Sequence, residues 1–263
     1  MTNTRRALLM LLALAVVKLP LDAMLAALLP DASVNPVMNG IAGAAVSLLL
    51  LGLPAWKLRP WMSPRLVRVK SCWQGVLSGV LLAVLCRVAL TPVDAAWQDY
   101  LGLATDVLPM PENLPVAMVC MLTMAVIPAV TEESFFRGAL LTGLLDGSRC
   151  MTAVLRTTLS FTLMHGNAAN LPSLLVLSLL LTLLMLRTGS IAAPVMMHLV
   201  YNLMAFVPVE ASFGMRLLCG AGLTAVVLWW GSRRNTYAHP LMKGLDGLIA
   251  GAALTAMAAQ YFV

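Results

Sequence analysis

Charge is scarce in this sequence. Of 263 residues only 11% are Asp, Glu, Lys or Arg, while 60% are hydrophobic and the mean hydropathy is +0.90. Soluble domains carry about 25% charged and about 45–50% apolar residues, so this chain has too little polar surface to coat itself in water. The expected solvent is lipid. Also missing are internal repeats, low-complexity tracts and linkers, which excludes solenoids, collagen-like chains and disorder. Cys72, Cys86, Cys120, Cys150 and Cys219 lie mostly inside apolar runs, without a C-x-x-C pair or a histidine at metal-ligand spacing. They read as small hydrophobes rather than disulfides or ligands. No G-x-S-x-G elbow or H-E-x-x-H helix occurs, so the common serine-hydrolase and zinc-protease signatures are lacking. Acidic residues number 11 against 17 Lys and Arg, a net charge of +6. On a soluble protein that excess would point to nucleic acid; on a membrane chain it reports orientation, so no nucleic-acid partner is expected.

What is present is a succession of apolar stretches separated by charge clusters or Pro/Gly. A span needs about 20 residues, and the pattern predicts an all-α, polytopic transmembrane bundle of roughly eight or nine helices, near 7–29, 37–56, 72–91, 114–136, 151–166, 171–187, 189–208, 213–231 and 245–263. With the N-terminus inside, Arg5/Arg6, Lys57/Arg59/Arg65/Arg68/Lys70, Arg149/Arg156, Arg187 and Arg233/Arg234/Lys243 all fall on the cytoplasmic side. Asp31, Asp94/Asp99/Asp106/Glu112 and Glu210 fall on the other. Lys18, Pro20 and Asp22 stand where a leader's cleavage site would be, so the first stretch reads as a retained helix, with Lys18 and Asp22 as an i,i+4 pair. Residues 1–263 read as one integral-membrane domain. Short loops, the charge pattern and the lack of a glycosylation sequon point to a bacterial inner membrane.

Leu114 to Leu145 is a run of 32 residues, about 48 Å as one helix and longer than a bilayer core. Pro128 is expected to kink it, leaving a second piece that begins near Thr131 as N-cap. That piece holds Glu132 and Glu133, two of only four glutamates, followed by Arg137. A charge at mid-bilayer is costly, roughly 2.5–3.5 kcal/mol on translocon scales, which makes these residues a site hypothesis by default. Glu133 and Arg137 are i,i+4 and can pair on one face; Glu132 points about 100° away, free for other work. The bland alternative is an ion-pair network that only fixes helix packing.

Two of the three histidines also fall in apolar runs. Phe161 stands one turn before His165 and can pack on its ring. His198 and Asn202 are i,i+4, so their donors project from one face, as suits a developing oxyanion. His239, beside Pro240 in a basic loop, reads as solvated, and Arg87 and Arg216 as snorkelling to the interface.

Taken in order, Glu132–Glu133-x-x-x–Arg137, Phe161-x-x-x–His165 and His198-x-x-x–Asn202 resemble the EExxxR, FxxxH and HxxxN motifs of the CPBP family, also called Abi or CAAX-protease-like. These are glutamic-type intramembrane endopeptidases. The Thr188–Gly189–Ser190–Ile191 turn is similar too. The resemblance covers roughly 114–206, the expected catalytic core. EExxxR would arise by chance only on the order of a few times in a thousand shuffled chains, whereas FxxxH or HxxxN alone is weak.

The resemblance implies that Glu132 and His165 deprotonate a water for attack on a peptide carbonyl. His198 and Asn202 would stabilise the oxyanion, while Glu133, Arg137 and Phe161 support them. No metal or other cofactor is implied, and the expected substrate is a membrane-anchored or lipid-modified peptide within the lipid bilayer. Two other readings stay open. One is a non-proteolytic scaffold or immunity protein of the same fold. The other is a metalloprotease in which Glu132, His165 and His198 hold zinc, two histidines and a carboxylate being suitable ligands. A transporter is disfavoured because no inverted repeat is visible. The span boundaries leave one conflict, since Glu132 falls toward the cytoplasmic end of its helix and His165 toward the opposite end of the next. Either a boundary is displaced or the helices break around a water-filled cavity, as Pro128 and Pro172 permit.

Overall fold

The computed structural model describes residues 3–29, 35–58, 73–103, 111–145, 150–207 and 210–232. Among these residues the chain is all-α and has no strand. The helices are α1 (Asn3–Leu28), α2 (Pro36–Leu58), α3 (Trp73–Leu101), α4 (Leu114–Leu145), α5 (Cys150–Met164), α6 (Leu171–Thr188), α7 (Ala192–Phe206) and α8 (Phe213–Ser232). Of these, α2, α3, α4 and α6 are each long and apolar enough to cross a membrane, and the shorter α5, α7 and α8 are apolar as well. The chain is an integral membrane protein built as a helical bundle. The expected span at 245–263, His239, and the side chain of Asp22 lie outside the described residues.

Lipid offers no partner to a backbone N–H or C=O, so apolar segments satisfy theirs internally as helices. Their ends are marked by polar residues and glycine. Asn35 and Asn113 cap α2 and α4, each followed by a proline in the first turn, with Asn113 Oδ1 accepting from the Val116 N–H at 3.1 Å. Gly166 (φ +59°) and Gly189 (φ +62°) take the left-handed conformation that closes α5 and α6. Large apolar side chains such as Leu12, Leu81, Leu114, Leu163 and Leu218 point outward, a hazard in water but ordinary solvation in hydrocarbon. Exposed Trp73 and Tyr100 stand near the two ends of α3, some 40 Å apart along the axis, about the thickness of a bilayer with its headgroup regions.

Helix α4 departs from the expectation at Pro128. It does not restart at Thr131 but runs unbroken from Leu114 to Leu145, with π-helical stretches at Leu122–Val126 and Ser134–Leu140. Thr131 is not an N-cap: its hydroxyl donates to the Ile127 carbonyl within the helix and meets Ser47 of α2. The wider turns precede the proline and relieve the clash its ring would make with the carbonyl four residues back. In α2 the same device precedes Pro54, with a π stretch at Leu48–Gly52.

This continuity removes the depth conflict. Glu132 lies 13 residues before Leu145 and His165 lies 15 residues after Cys150. At 1.5 Å per residue these are about 20 and 22 Å from the facing ends of α4 and α5, so the two side chains share one depth. The misplaced boundary was the one at residue 136.

The core gathers on α6, whose Leu177, Leu180, Leu181 and Leu184 are buried where it packs on α5, α3 and α7, in one cluster with Leu140, Leu141 and Leu144 of α4. Helix α3 packs most extensively on α7. Gly75 and Gly79 make this approach possible: a Cβ at Gly79 would stand 2.7 Å from the Ala193 carbonyl oxygen, and one at Gly75 2.7 Å from Thr188.

Candidate active site

Helices α4, α5 and α7 bring the motif residues together, and α6 adds Ser178. Arg137 is fully buried and donates to Glu133 Oε1 (2.9 Å), to the Ser178 carbonyl (2.9 Å) and to Ser178 Oγ (2.8 Å). Its guanidinium carbon lies 4.5 Å from the centroid of the Phe161 ring. The pairing expected from i,i+4 spacing is present, although the π stretch begins at Ser134. Glu133 Oε1 also accepts from His198 Nδ1 at 2.8 Å, a contact across 65 residues that nothing in the sequence signals. A carboxylate held by a guanidinium can only accept, so His198 Nδ1 carries the proton and Nε2 faces away from Glu133.

His165 is arranged in parallel. Its Nδ1 lies 2.8 Å from the Phe161 carbonyl oxygen one turn back, which can only accept, so Nε2 is turned outward here too. Phe161 is wholly buried at the centre of the group, with ring centroids 4.5 Å from His165, 5.7 Å from His198 and 5.2 Å from Phe136. Both Nε2 atoms converge on Glu132 Oε2, from His165 at 3.5 Å and from His198 at 4.0 Å. Oε2 of Glu132 is itself buried and makes no hydrogen bond among the described residues. The two carboxylates thus differ in kind: Glu133 is sealed at 0% exposure, while Glu132 is 14% exposed and His165 28%.

The exposed edge of the group faces a cavity of about 400 Å³ between α2, α3, α4, α6 and α7. Glu132, His165, His198 and Asn202 all line it, with Asn202 one turn beyond His198 on α7. The segment after His165 is held from α3: Trp97 Nε1 donates to the Ala168 carbonyl (2.8 Å), Gln98 Nε2 to the Ala169 carbonyl (3.2 Å), and Asp94 Oδ1 accepts from the Ser173 N–H in the first turn of α6 (3.1 Å). A carboxylate at that helix N-terminus is electrostatically favourable. Sequence reading missed this clasp because its partners lie more than 70 residues apart.

Arg87 corrects another expectation. It is the middle residue of α3, 14 residues or about 21 Å from either end, too deep to snorkel, and it lines the cavity instead. Arg216 sits in the first turn of α8, at a helix end. Among the described residues no three His, Cys, Asp or Glu side chains are grouped so as to hold a metal ion.

Fold and site together define a polytopic helical membrane protein with a carboxylate and two imidazoles at the wall of an intramembrane cavity. Residues 114–204, roughly a third of the chain, match the model of a family described as Rce1-like, type II CAAX prenyl endopeptidase Rce1-like. This is the CAAX-protease group that the three motifs resemble, and the matched segment contains every motif residue. No curated protein and no solved structure matches the chain.

Proposed function

We propose that this protein is an intramembrane endopeptidase of glutamic type, hydrolysing a peptide bond in a membrane-anchored or lipid-modified peptide, and that it works in a bacterial inner membrane. The observation that carries the reading is the convergence of two oriented imidazoles on one cavity-facing carboxylate. Glu132 lines the cavity and keeps part of its side chain exposed there, the side from which a water reaches the group.

In the proposed reaction, Glu132 with His165 takes a proton from that water, and the water oxygen bonds to the carbonyl carbon of the scissile peptide. The carbonyl π pair moves to its oxygen, where Asn202 and His198 donate to it. His198 can donate from Nε2 only as an imidazolium with protons on both nitrogens, and the Glu133 carboxylate on Nδ1 stabilises that cation. Collapse of the tetrahedral intermediate breaks the C–N bond. The proton held by Glu132 and His165 passes to the leaving nitrogen, so one water is consumed and a carboxylic acid and an amine are released. Preorganised donors in a dry site are typically worth about 2.7–4 kcal/mol each in the transition state. Phe161 supports the arrangement by walling both imidazoles and the Arg137 guanidinium.

The test compares protein termini by mass spectrometry in membranes from cells making the wild-type chain or Glu132→Gln at equal level. Loss of specific cleaved termini in the variant, with accumulation of the uncut precursors, is expected and identifies the substrate. Indistinguishable termini would remove the protease reading and favour a scaffold that binds its partner in the same cavity. Stoichiometric zinc in the purified protein, required for cleavage, would replace this metal-free chemistry.

A further inference from the structure

The geometry points to Arg87 as a specificity-determining residue: its guanidinium binds a carboxylate of the substrate peptide in the same cavity that Glu132 lines. The inference rests on the endopeptidase reading above and adds to it a ligand chemistry that neither the motifs nor the family match assigns to this residue.

Among the described residues Arg87 is the one Lys or Arg side chain lining the cavity, since Arg137 is sealed behind Glu133 and engaged by Ser178. Its Nε is buried and makes no hydrogen bond, and among the described residues no carboxylate lies within ion-pair distance of it. Asp94, two turns along the same face of α3, also lines the cavity, but its Oδ1 is committed to the Ser173 N–H. A guanidinium at mid-membrane depth that feels Asp94 only at a distance, without a close ion pair, is an expensive group to keep, and such residues mark ligand paths.

The Tyr201 ring holds this cation, its centroid 5.6 Å from Cζ. Tyr201 neighbours Asn202 and follows His198 by three residues, so Arg87 is fastened against the helix proposed to receive the oxyanion. A planar fork of N–H donors in this setting matches a carboxylate, which it can bind in bidentate fashion. Scale limits the separation. A cavity of about 400 Å³ admits only a short stretch of extended chain. The bound carboxylate therefore lies within a few residues of the bond cut, as the chain's own C-terminus or as an acidic side chain.

Three peptides test this, each a farnesylated Cys-Ala-Ala-Leu sequence with six residues preceding it: the free acid, its C-terminal carboxamide, and a carboxamide with Glu in the last position. Binding is measured on purified Glu132→Gln protein in nanodiscs, and cleavage on the wild-type chain. The free acid is expected to bind about tenfold to a hundredfold tighter than the plain carboxamide, the loss of one hydrogen-bonded charge pair. Adding Arg87→Gln should bring that ratio to about one, and Arg87→Lys should retain part of it. Recovery of affinity by the Glu-ended carboxamide would assign the carboxylate to a side chain; failure to recover assigns it to the chain end.

Equal binding of all three peptides, a preference that survives Arg87→Gln, or no binding of any peptide would overturn the inference. If Arg87→Gln does not fold, the acid-to-amide ratio on the otherwise unaltered chain and Arg87→Lys still decide it. The two readings fail separately. Equal cleavage of acid and amides keeps the peptidase and removes the subsite, whereas Arg87-dependent binding without cleavage keeps the subsite and removes the peptidase.

Discussion

Glu133 has two partners of different meaning, and a pair of substitutions separates them. Arg137 donates to its Oε1 at 2.9 Å with both side chains fully buried, and His198 Nδ1 meets the same oxygen at 2.8 Å. Arg137→Met alone leaves the sealed Glu133 carboxylate with His198 but without its cation, and removing one partner of a buried pair costs about 3–5 kcal/mol. Adding Glu133→Leu removes the stranded charge, and replacing a buried pair by apolar residues of similar size is often neutral. The double variant should return to within about 2 kcal/mol of the parent chain. The Ser178 carbonyl keeps a donor in the Thr182 hydroxyl, so the chief group left unpaired is the buried His198 Nδ1–H, which accounts for the remaining deficit.

Activity should not return with stability. Without the carboxylate, His198 loses the acceptor that sets its tautomer and supports its protonated form, and turnover should stay at least about a hundredfold down. Thermal unfolding in detergent and cleavage of the substrate found by terminus mapping measure the two effects independently. A double variant that regained wild-type turnover together with its stability would refute the reasoning and reduce Glu133 to a packing residue.

Asn202→Ala should lower kcat by about a hundredfold to a thousandfold with little change in KM or melting temperature, because a donor used only in the transition state is lost; steady-state kinetics separate the two parameters. Gly79→Leu should destabilise the protein by about 1–3 kcal/mol or more and reduce turnover without touching the cavity, since its Cβ meets the Ala193 backbone and pushes α3 off α7; Gly214→Ala, with nothing within 4 Å, is the control in the same melting assay. Phe161→Ala should cost about 3–5 kcal/mol in denaturant titration, because it opens a cavity against both imidazoles and removes the ring beneath Arg137.

Several parts of the site were legible because their physics is local. Glu133 with Arg137 and Phe161 with His165 are each one helical turn apart, so sequence spacing alone places the partners together. The Glu133 to His198 bond, the clasp of Trp97, Gln98 and Asp94 on the segment after His165, and the Gly75 and Gly79 approach all join distant stretches whose contact depends on how helices pack. Thr131 misled for a related reason: the hydroxyl that caps a helix start also back-bonds within a continuous helix, and only the π-helical stretch before Pro128 selects the second use. Arg87 misled because snorkelling depends on depth, and depth was set by where α3 begins and ends.

Composition by itself determined the solvent and hence the secondary structure, because a chain this apolar must satisfy its backbone within helices. The motif order also placed the reactive side chains on α4, α5 and α7. Tertiary structure decided their chemistry. Whether a carboxylate is sealed beside a guanidinium or turned toward a cavity depends on which helices close around it. That distinction separates Glu133 from its neighbour Glu132, two identical side chains one residue apart.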